Sequence, residues 1–251
     1  MKVLLVRADD TPDLDAGALA ARGAEVTSEA FISVRPSSDS AAEQRASEIV
    51  DGLHSSGAWL VLTSAAGIRA LATLLGSDAV GIRLRAAHAA GARFAAVGPT
   101  SARALTMLGI DDVLVPATSH TASGLLDALS FTAPGVAVMP RSTIGDAHIP
   151  DTLKARGWTV VSRVIYETTT VVERPAAADR LAEGGFDALV LRSPSAARAV
   201  AHFGKVPSTT AIIAGGPTTA LAASRLGLRV SAVSTDSQAE SIAAAVMSTA
   251  H

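Results

Sequence analysis

Apolar and polar positions along the chain fall into two alternating kinds of segment. Short runs of Val, Leu and Ile ("KVLLV", "WLVLTS", "FAAVG", "DVLVP", "GVAVMP", "WTVVSRVIY", "DALVLRS", "TAIIAGG", "RVSAVS") are separated by Ala-rich stretches of helical character. Continuous apolar runs of this length predict strands buried on both faces. Their regular alternation with helices predicts an α/β fold of parallel sheets flanked by helices.

The pattern occurs twice. "LLVRADD" with "ALAARGAEV" is matched by "AVMPRS" with "TLKARGWTV", "WLVLTSAAGIRAL" by "ALVLRSPSAARAV", and "AAVGPTSARALTMLG" by "IIAGGPTTALAASRLG". "TSHTASGLLDAL" is matched in turn by "STDSQAESIAAAV". The chain therefore reads as an internal duplication, with copies near 1–130 and 134–251. A period this long predicts two similar lobes rather than a solenoid. The stretch from Phe31 to Ser40, "FISVRPSSDS", reads as a linker, and the β-branched "VIYETTTVV" (164–172) reads as an extended partner for it. Two such crossings between lobes would leave a cleft beneath a hinge.

Composition adds limits. In 251 residues, hydrophobic types make up 49% and charged types 18%, which argues for a packed globular chain. Aromatics are only 3%, so the core has to be built from Ala, Val, Leu and Ile. A formal net charge of −2 supplies no basic field for nucleic acid or an anionic membrane, so neither is an expected partner. The absence of cysteine excludes disulfides and thiolate chemistry. "MKVLLVRADD" is charged too early for a signal peptide and no run is long enough for a membrane span, so the expected location is cytoplasmic.

The recurring feature is the corner where a strand enters a helix. These corners are Thr63-Ser64, Gly98-Pro99-Thr100-Ser101, Thr118 to Ser123, Ser193-Pro194-Ser195, Gly216-Pro217-Thr218-Thr219 and Ser234 to Ser241. Hydroxyl residues there are expected to act as N-caps, and the first-turn amides attract anions. In an open α/β sheet such corners gather at the carboxyl ends of the strands, where ligands bind. Any one of them also serves as an ordinary helix cap; a ligand with many carboxylates is what would use them together.

Other chemistries find little footing. No G-x-G-x-x-G follows the first strand, no G-x-x-x-x-G-K-[ST] occurs, and Pro217 removes an amide from the Gly-rich "AGGPTTA". The six histidines, His54, His88, His120, His148, His202 and His251, lack ligand spacing, and His251 is expected to be solvated. No G-x-S-x-G elbow is present. Tyr166, the only tyrosine, lies where the chain crosses between lobes. Its phenol is either a proton donor for catalysis or a strand-end side chain with a wet hydroxyl.

With these residues assembled, the chain resembles the uroporphyrinogen-III synthase family over nearly its whole length. The carriers are "LLVR" with "ALAARGAEV", "WLVLTSAAGIRAL", "AAVGPTSARALTMLG", "LVPATSHTASGLLDAL", "MPRS" with "DTLKARGWTVVSRVIY", "LVLRSPSAARAV" and "GGPTTALAASRLGLRV". The resemblance implies two similar α/β lobes joined by a two-stranded antiparallel connection. One is formed by 1–34 with 171–251 and the other by 37–166, with linkers near 35–36 and 167–170. It implies a cofactor- and metal-independent hydro-lyase that closes hydroxymethylbilane, a linear tetrapyrrole with eight carboxylates, into a macrocycle with the last ring inverted. Tyr166 falls at the family's tyrosine position. Ser64 and Ser101 from the central lobe, and Ser193, Thr218 and Thr219 from the terminal lobe, would bind the acid side chains, with Arg7 and Arg141 as carboxylate partners. Substrate hand-over from the deaminase and a monomeric state are the expected associations. Two departures stand out: Asp146 where the family often carries a glycine-arginine pair, and Pro99 in the central corner. The first keeps open a second class, a non-catalytic two-lobed binding protein for a small anionic metabolite.

Overall fold

The computed structural model describes residues 1–11, 13, 15–236 and 238–249. The chain divides into two compact units, unit 1 comprising Met1–Val34 with Thr168–His251 and unit 2 comprising Arg35–Glu167. Ser237, within the last hydroxyl corner, and His251 lie outside the described residues.

In chain order the first elements are β1 (Lys2–Ala8), α1 (Ala16–Ala20), β2 (Glu25–Pro36) and α2 (Ala42–Gly52). Then follow β3 (Ala58–Leu62), α3 (Ala65–Leu75), α4 (Ser77–Ala89), β4 (Arg93–Ala96), α5 (Pro99–Thr106), β5 (Val113–Leu114) and α6 (Ala122–Leu129). After β6 (Val136–Ser142), α7 (His148–Ala155) and β7 (Thr159–Thr170), the chain completes unit 1. It does so with α8 (Ala176–Ala182), β8 (Ala188–Leu191), α9 (Pro194–Phe203), β9 (Ala211–Ala214), α10 (Pro217–Arg225), β10 (Val230–Val233) and α11 (Ala239–Met247).

Unit 1 orders its strands β10-β9-β8-β1-β2, with parallel pairing throughout. Strand alternation sends Leu4 and Val6 into one apolar cluster with Phe31, Leu189, Leu191 and Val200. It sends Val3 and Leu5 into the opposite cluster with Leu19, Val190, Ile213 and Ile242. A sheet buried on both faces needs helices on both, and that is why its strands read as unbroken apolar runs.

Unit 2 repeats the plan as β7-β6-β3-β4-β5, again parallel. Trp59, Val61, Ala137 and Met139 pack under α6 and α7, with Trp59 edge-on to Trp158 at a centroid distance of 6.2 Å. The two units differ by one helix. The chain from Ser64 to Gly98 is longer than its counterpart from Ser193 to Gly216, and α4 occupies the difference.

Of the stretch read as a linker, only the first six residues are strand, and Ser37 to Ser40 are not. Phe31–Pro36 complete β2, and Phe31 and Ile32 are core, exposing 0% and 4%. They stay extended because both β2 and β7 find partners: in unit 1 the Val171 N–H donates to Phe31 O at 3.1 Å, and in unit 2 the Ser37 N–H donates to Ile165 O at 2.9 Å. The unit boundaries thus fall inside paired strands. Among the described residues no single helix is long and apolar enough to cross a membrane.

Candidate active site

In unit 2 the parallel order brings the carboxyl ends of β7, β6, β3 and β4 side by side. Tyr166 on β7 is in register with Ser142 on β6 through a bulge between Arg141 and Ser142, and the Thr143 N–H donates to Tyr166 O at 3.0 Å. Tyr166 is buried, exposing 4%, and Ser142 exposes 8%. Arg141 is turned back on its own loop, donating to Gly145 O, and the Gly145 N–H donates to Ser142 O at 3.0 Å. Ser64 is extended (φ −156°, ψ 147°), and its Oγ accepts the Ala66 N–H at 3.2 Å, capping α3. Thr121 caps α6 by accepting the Gly124 N–H at 3.1 Å.

The third corner departs from expectation. Its cap is Gly98, with no side-chain cap bond, and Pro99 is the first helical residue. Proline's fixed φ suits that position and its missing N–H costs nothing there. Ser101 therefore lies inside the first turn and is buried at 7%, while Thr100 is exposed. The hydroxyl-cap expectation is corrected here to a glycine cap.

Unit 1 shows the same geometry at the carboxyl ends of β1, β8 and β9. Ser193 caps α9, its Oγ accepting the Ala196 N–H at 3.2 Å and sharing a hydrogen bond with Ser195 Oγ at 2.8 Å. Gly216 caps α10 in extended conformation without a side-chain bond, Pro217 follows as the first helical residue, Thr218 is exposed and Thr219 is buried at 4%. Both Gly-Pro helices end alike. Gly109 and Gly227 take φ of +84° and +77°, and the amides of Ile110 and Leu228 reach back to Leu105 O at 3.2 Å and Ala223 O at 3.0 Å. This is the left-handed helix stop that favours glycine. At the last corner, the N-cap residue is Gln238, again without a side-chain cap bond.

Arg7 donates to Ala8 O at 3.0 Å and Thr11 O at 3.4 Å. The hollow beside it is lined by Asp9, Asp10, Thr11, Asp13 and Ser28, an acidic setting for a carboxylate partner. Both predicted arginines thus donate to main-chain carbonyls close by in sequence, at matching places in the repeat. Asp146 forms a local turn, its Oδ1 accepting the His148 N–H at 2.9 Å.

The structure therefore collects Ser64, Ser101, Arg141 and Tyr166 at the loop edge of unit 2, and Arg7, Ser193, Thr218 and Thr219 at the loop edge of unit 1. Sequence reasoning missed Arg192, at the end of β8, which is paired with the buried Asp15. The resolved electrostatic shifts lie elsewhere in unit 2. The bidentate hydrogen bond from Arg45 to Asp39, helped by the Ala41 N–H, holds the Asp39 carboxyl at about 2, down from 3.8. Among the described residues no group of three or more His, Asp or Glu side chains is placed to hold a metal ion.

Two parallel α/β units of one duplicated plan, each ending in a polar edge of helix caps, hydroxyls and amides, define a class: duplicated two-unit α/β proteins with polar loop edges. A sequence model described as uroporphyrinogen-III synthase HemD matches residues 13–244. The chain belongs to the uroporphyrinogen-III synthase family. Among solved structures, a mutant uroporphyrinogen III synthase from the extremely thermophilic bacterium Thermus thermophilus is similar at 19% identity and a TM-score of 0.62, covering 99% of this chain and 98% of that one. The enzyme from Helicobacter pylori is similar at 14% identity and a TM-score of 0.59, covering 99% of both chains. At these identities the likeness concerns the fold. No curated protein sequence matches the chain.

Proposed function

We propose that the chain closes hydroxymethylbilane into uroporphyrinogen III, acting as a hydro-lyase that needs no cofactor. The observation that carries this reading is the family match across residues 13–244. The duplicated loop edges support it. The reaction loses the substrate's hydroxyl as water, attacks the resulting electrophile through a spiro intermediate and closes the ring, with no net redox change. The uncatalysed alternative closes without inversion, so the enzyme has to hold a flexible chain in one geometry, which is positioning catalysis.

Carboxylates suit such holding. Each helix terminus contributes about 0.3–1 kcal/mol toward one anion. Eight carboxylates meeting such groups together gain about 2–8 kcal/mol, enough to order the substrate without a strongly charged pocket. In this reading the exposed Thr218, the cap serines Ser64 and Ser193 and the first-turn amides of α5 and α10 bind acid side chains. Ser101 and Thr219, being buried, act through their main chain. Tyr166 donates the proton to the departing hydroxyl; because its ring is covered, the substrate hydroxyl has to approach it from the loop edge. Arg7 and Arg141 shape their loops before they meet any ligand. Each chain carries both units, so a monomer suffices, and the substrate comes from the deaminase in the cytoplasm. No observation favours a non-catalytic binding protein, and Asp146, which suggested one, has a local structural task.

The test is a coupled assay from porphobilinogen with the deaminase, reading the porphyrin isomers after oxidation. The type III isomer is expected to dominate. Type I alone, as without the protein, would refute the proposal.

A further inference from the structure

The two units were built from one plan, so a feature present in only one of them is informative. In unit 1 the Asp15 side chain exposes 4% and accepts a hydrogen bond from Arg192 Nη1, whose side chain exposes 34%. Arg192 follows β8 directly and precedes the cap Ser193. In unit 2 the repeat puts Ile149 in the place of Asp15 and Thr63 in the place of Arg192. Ile149 is buried at 4% in an apolar cluster, and Thr63 is exposed. The same fold position is thus packed without any ion pair.

Burying an ion pair seldom improves on an apolar pair of similar volume, because desolvation cancels most of the attraction. The frame does not need Asp15–Arg192, as unit 2 demonstrates. The pair does fix a guanidinium at the carboxyl end of a central strand, beside the Ser193 corner. Arg7, at the end of β1, donates to the carbonyls of Ala8 and Thr11 in an acidic hollow. Gly215 closes in from the next corner: a Cβ there would lie 3.2 Å from Arg192 Cα, so the β8 and β9 corners hold each other.

We propose that Arg192 is a carboxylate-binding residue for the polycarboxylate substrate, and that Asp15 is its positioning residue. Asp15 holds one guanidinium nitrogen so that the head is ordered before the ligand arrives, which reduces the entropy lost on binding. This rests on the proposed cyclisation of hydroxymethylbilane.

The experiment measures steady-state kinetics of the full chain on hydroxymethylbilane, with isomer analysis and a thermal melt of each variant. Wild type comes first: if it yields no type III isomer, the functional reading itself fails, separately from this inference. The Asp15→Ile/Arg192→Thr double variant reproduces the unit 2 solution and is expected to keep a cooperative melt. Its KM is expected to rise about tenfold, the scale of one lost charge-assisted hydrogen bond, with kcat little changed. Asp15→Asn is expected to raise KM in the wild-type background and to add nothing once Arg192→Thr is present. A double variant with wild-type KM, or one without a cooperative melt, would overturn the proposal. So would an Asp15→Asn effect of equal size in both backgrounds, which would mean that Asp15 acts without Arg192.

Discussion

Gly67 is the third residue of α3, against Pro140 of β6, and its replacement by alanine sets two opposing effects against each other. In an open helix interior, Gly→Ala is stabilising by about 0.5–1 kcal/mol, because glycine loses more backbone freedom on folding. Here, however, a Cβ at residue 67 would lie 2.9 Å from Pro140 Cγ and 3.2 Å from Pro140 Cβ. Carbon–carbon contacts settle at about 3.5–4.0 Å, so the helix has to lift by roughly half an ångström or more. The proline ring cannot rotate away. Overpacking of this kind costs about 1–3 kcal/mol, so a net loss of about 1–2 kcal/mol is expected. For a chain of this size that lowers Tm by about 2–8 °C. Because α3 carries the Ser64 corner, turnover of hydroxymethylbilane should fall as well. Gly17 in α1 is the control, since a Cβ there meets nothing within 4 Å, and Gly17→Ala should raise Tm slightly. Unit 1 also suggests the rescue: the matching pair there is Ala196 and Val6, both buried in one cluster. Gly67→Ala/Pro140→Val should therefore recover most of the loss. Thermal unfolding followed by circular dichroism decides it; a Gly67→Ala protein as stable as Gly17→Ala would refute the packing argument.

Tyr166→Phe should lower kcat about a hundredfold, the lower range for a lost general acid, while the protein stays folded; wild-type turnover would restrict the ring to packing. Ser64→Ala and Ser193→Ala should each cost about 1 kcal/mol, because the Ala66 and Ala196 amides lose their acceptors, whereas Ser→Gly at either site should cost only a few tenths. Urea midpoints would expose the difference, and equal losses for Ala and Gly would argue against capping. Asp39 gives a pH prediction. Its folded carboxyl lies near 2 against 3.8 for the free group, so its contribution is fully present above about 3.8 and is lost as pH falls through about 2. The stability gap between wild type and Asp39→Asn should shrink across that window, and a gap that is constant from pH 5 to the acid limit would contradict the Arg45 pairing.

The alternation of apolar runs and helices was legible because strands buried on both faces leave no choice of residue type, and the repeat made the second copy a check on the first. What escaped was set by contacts distant in sequence. The extended partner expected for "FISVRPSSDS" is present, but the burial of Phe31 and Ile32 could not be read locally, since it depends on β2 lying beside β1. The cap assignments failed at Gly98 and Gly216 by a local rule that was available: a proline one residue past a glycine marks the first helical position, which moves the hydroxyls inside the turn. Burial of Ser101 and Thr219 follows from that shift, since successive helical residues point about 100° apart. Arg7 and Arg141 were visible as strand-end cations, but their bonds to nearby carbonyls depend on loop conformation. Nothing local connects Asp15 to Arg192, since only the neighbouring of β1 and β8 brings them together.

The comparison of the units bears on the chemistry. What they share is the frame: the serine caps, the Gly-Pro corners with an exposed threonine before a buried hydroxyl, and the glycine stops. What they do not share is charge at the loop edge, Asp9 against Thr143, Asp15 against Ile149, Arg192 against Thr63, together with the buried tyrosine at 166 against Ile32. In the proposed reading each unit offers the same cap and first-turn amide groups to an acid side chain. The unshared charges make the units unequal: a charge-assisted contact worth about 1.4 kcal/mol and present in only one of them is a tenfold difference in affinity for one carboxylate.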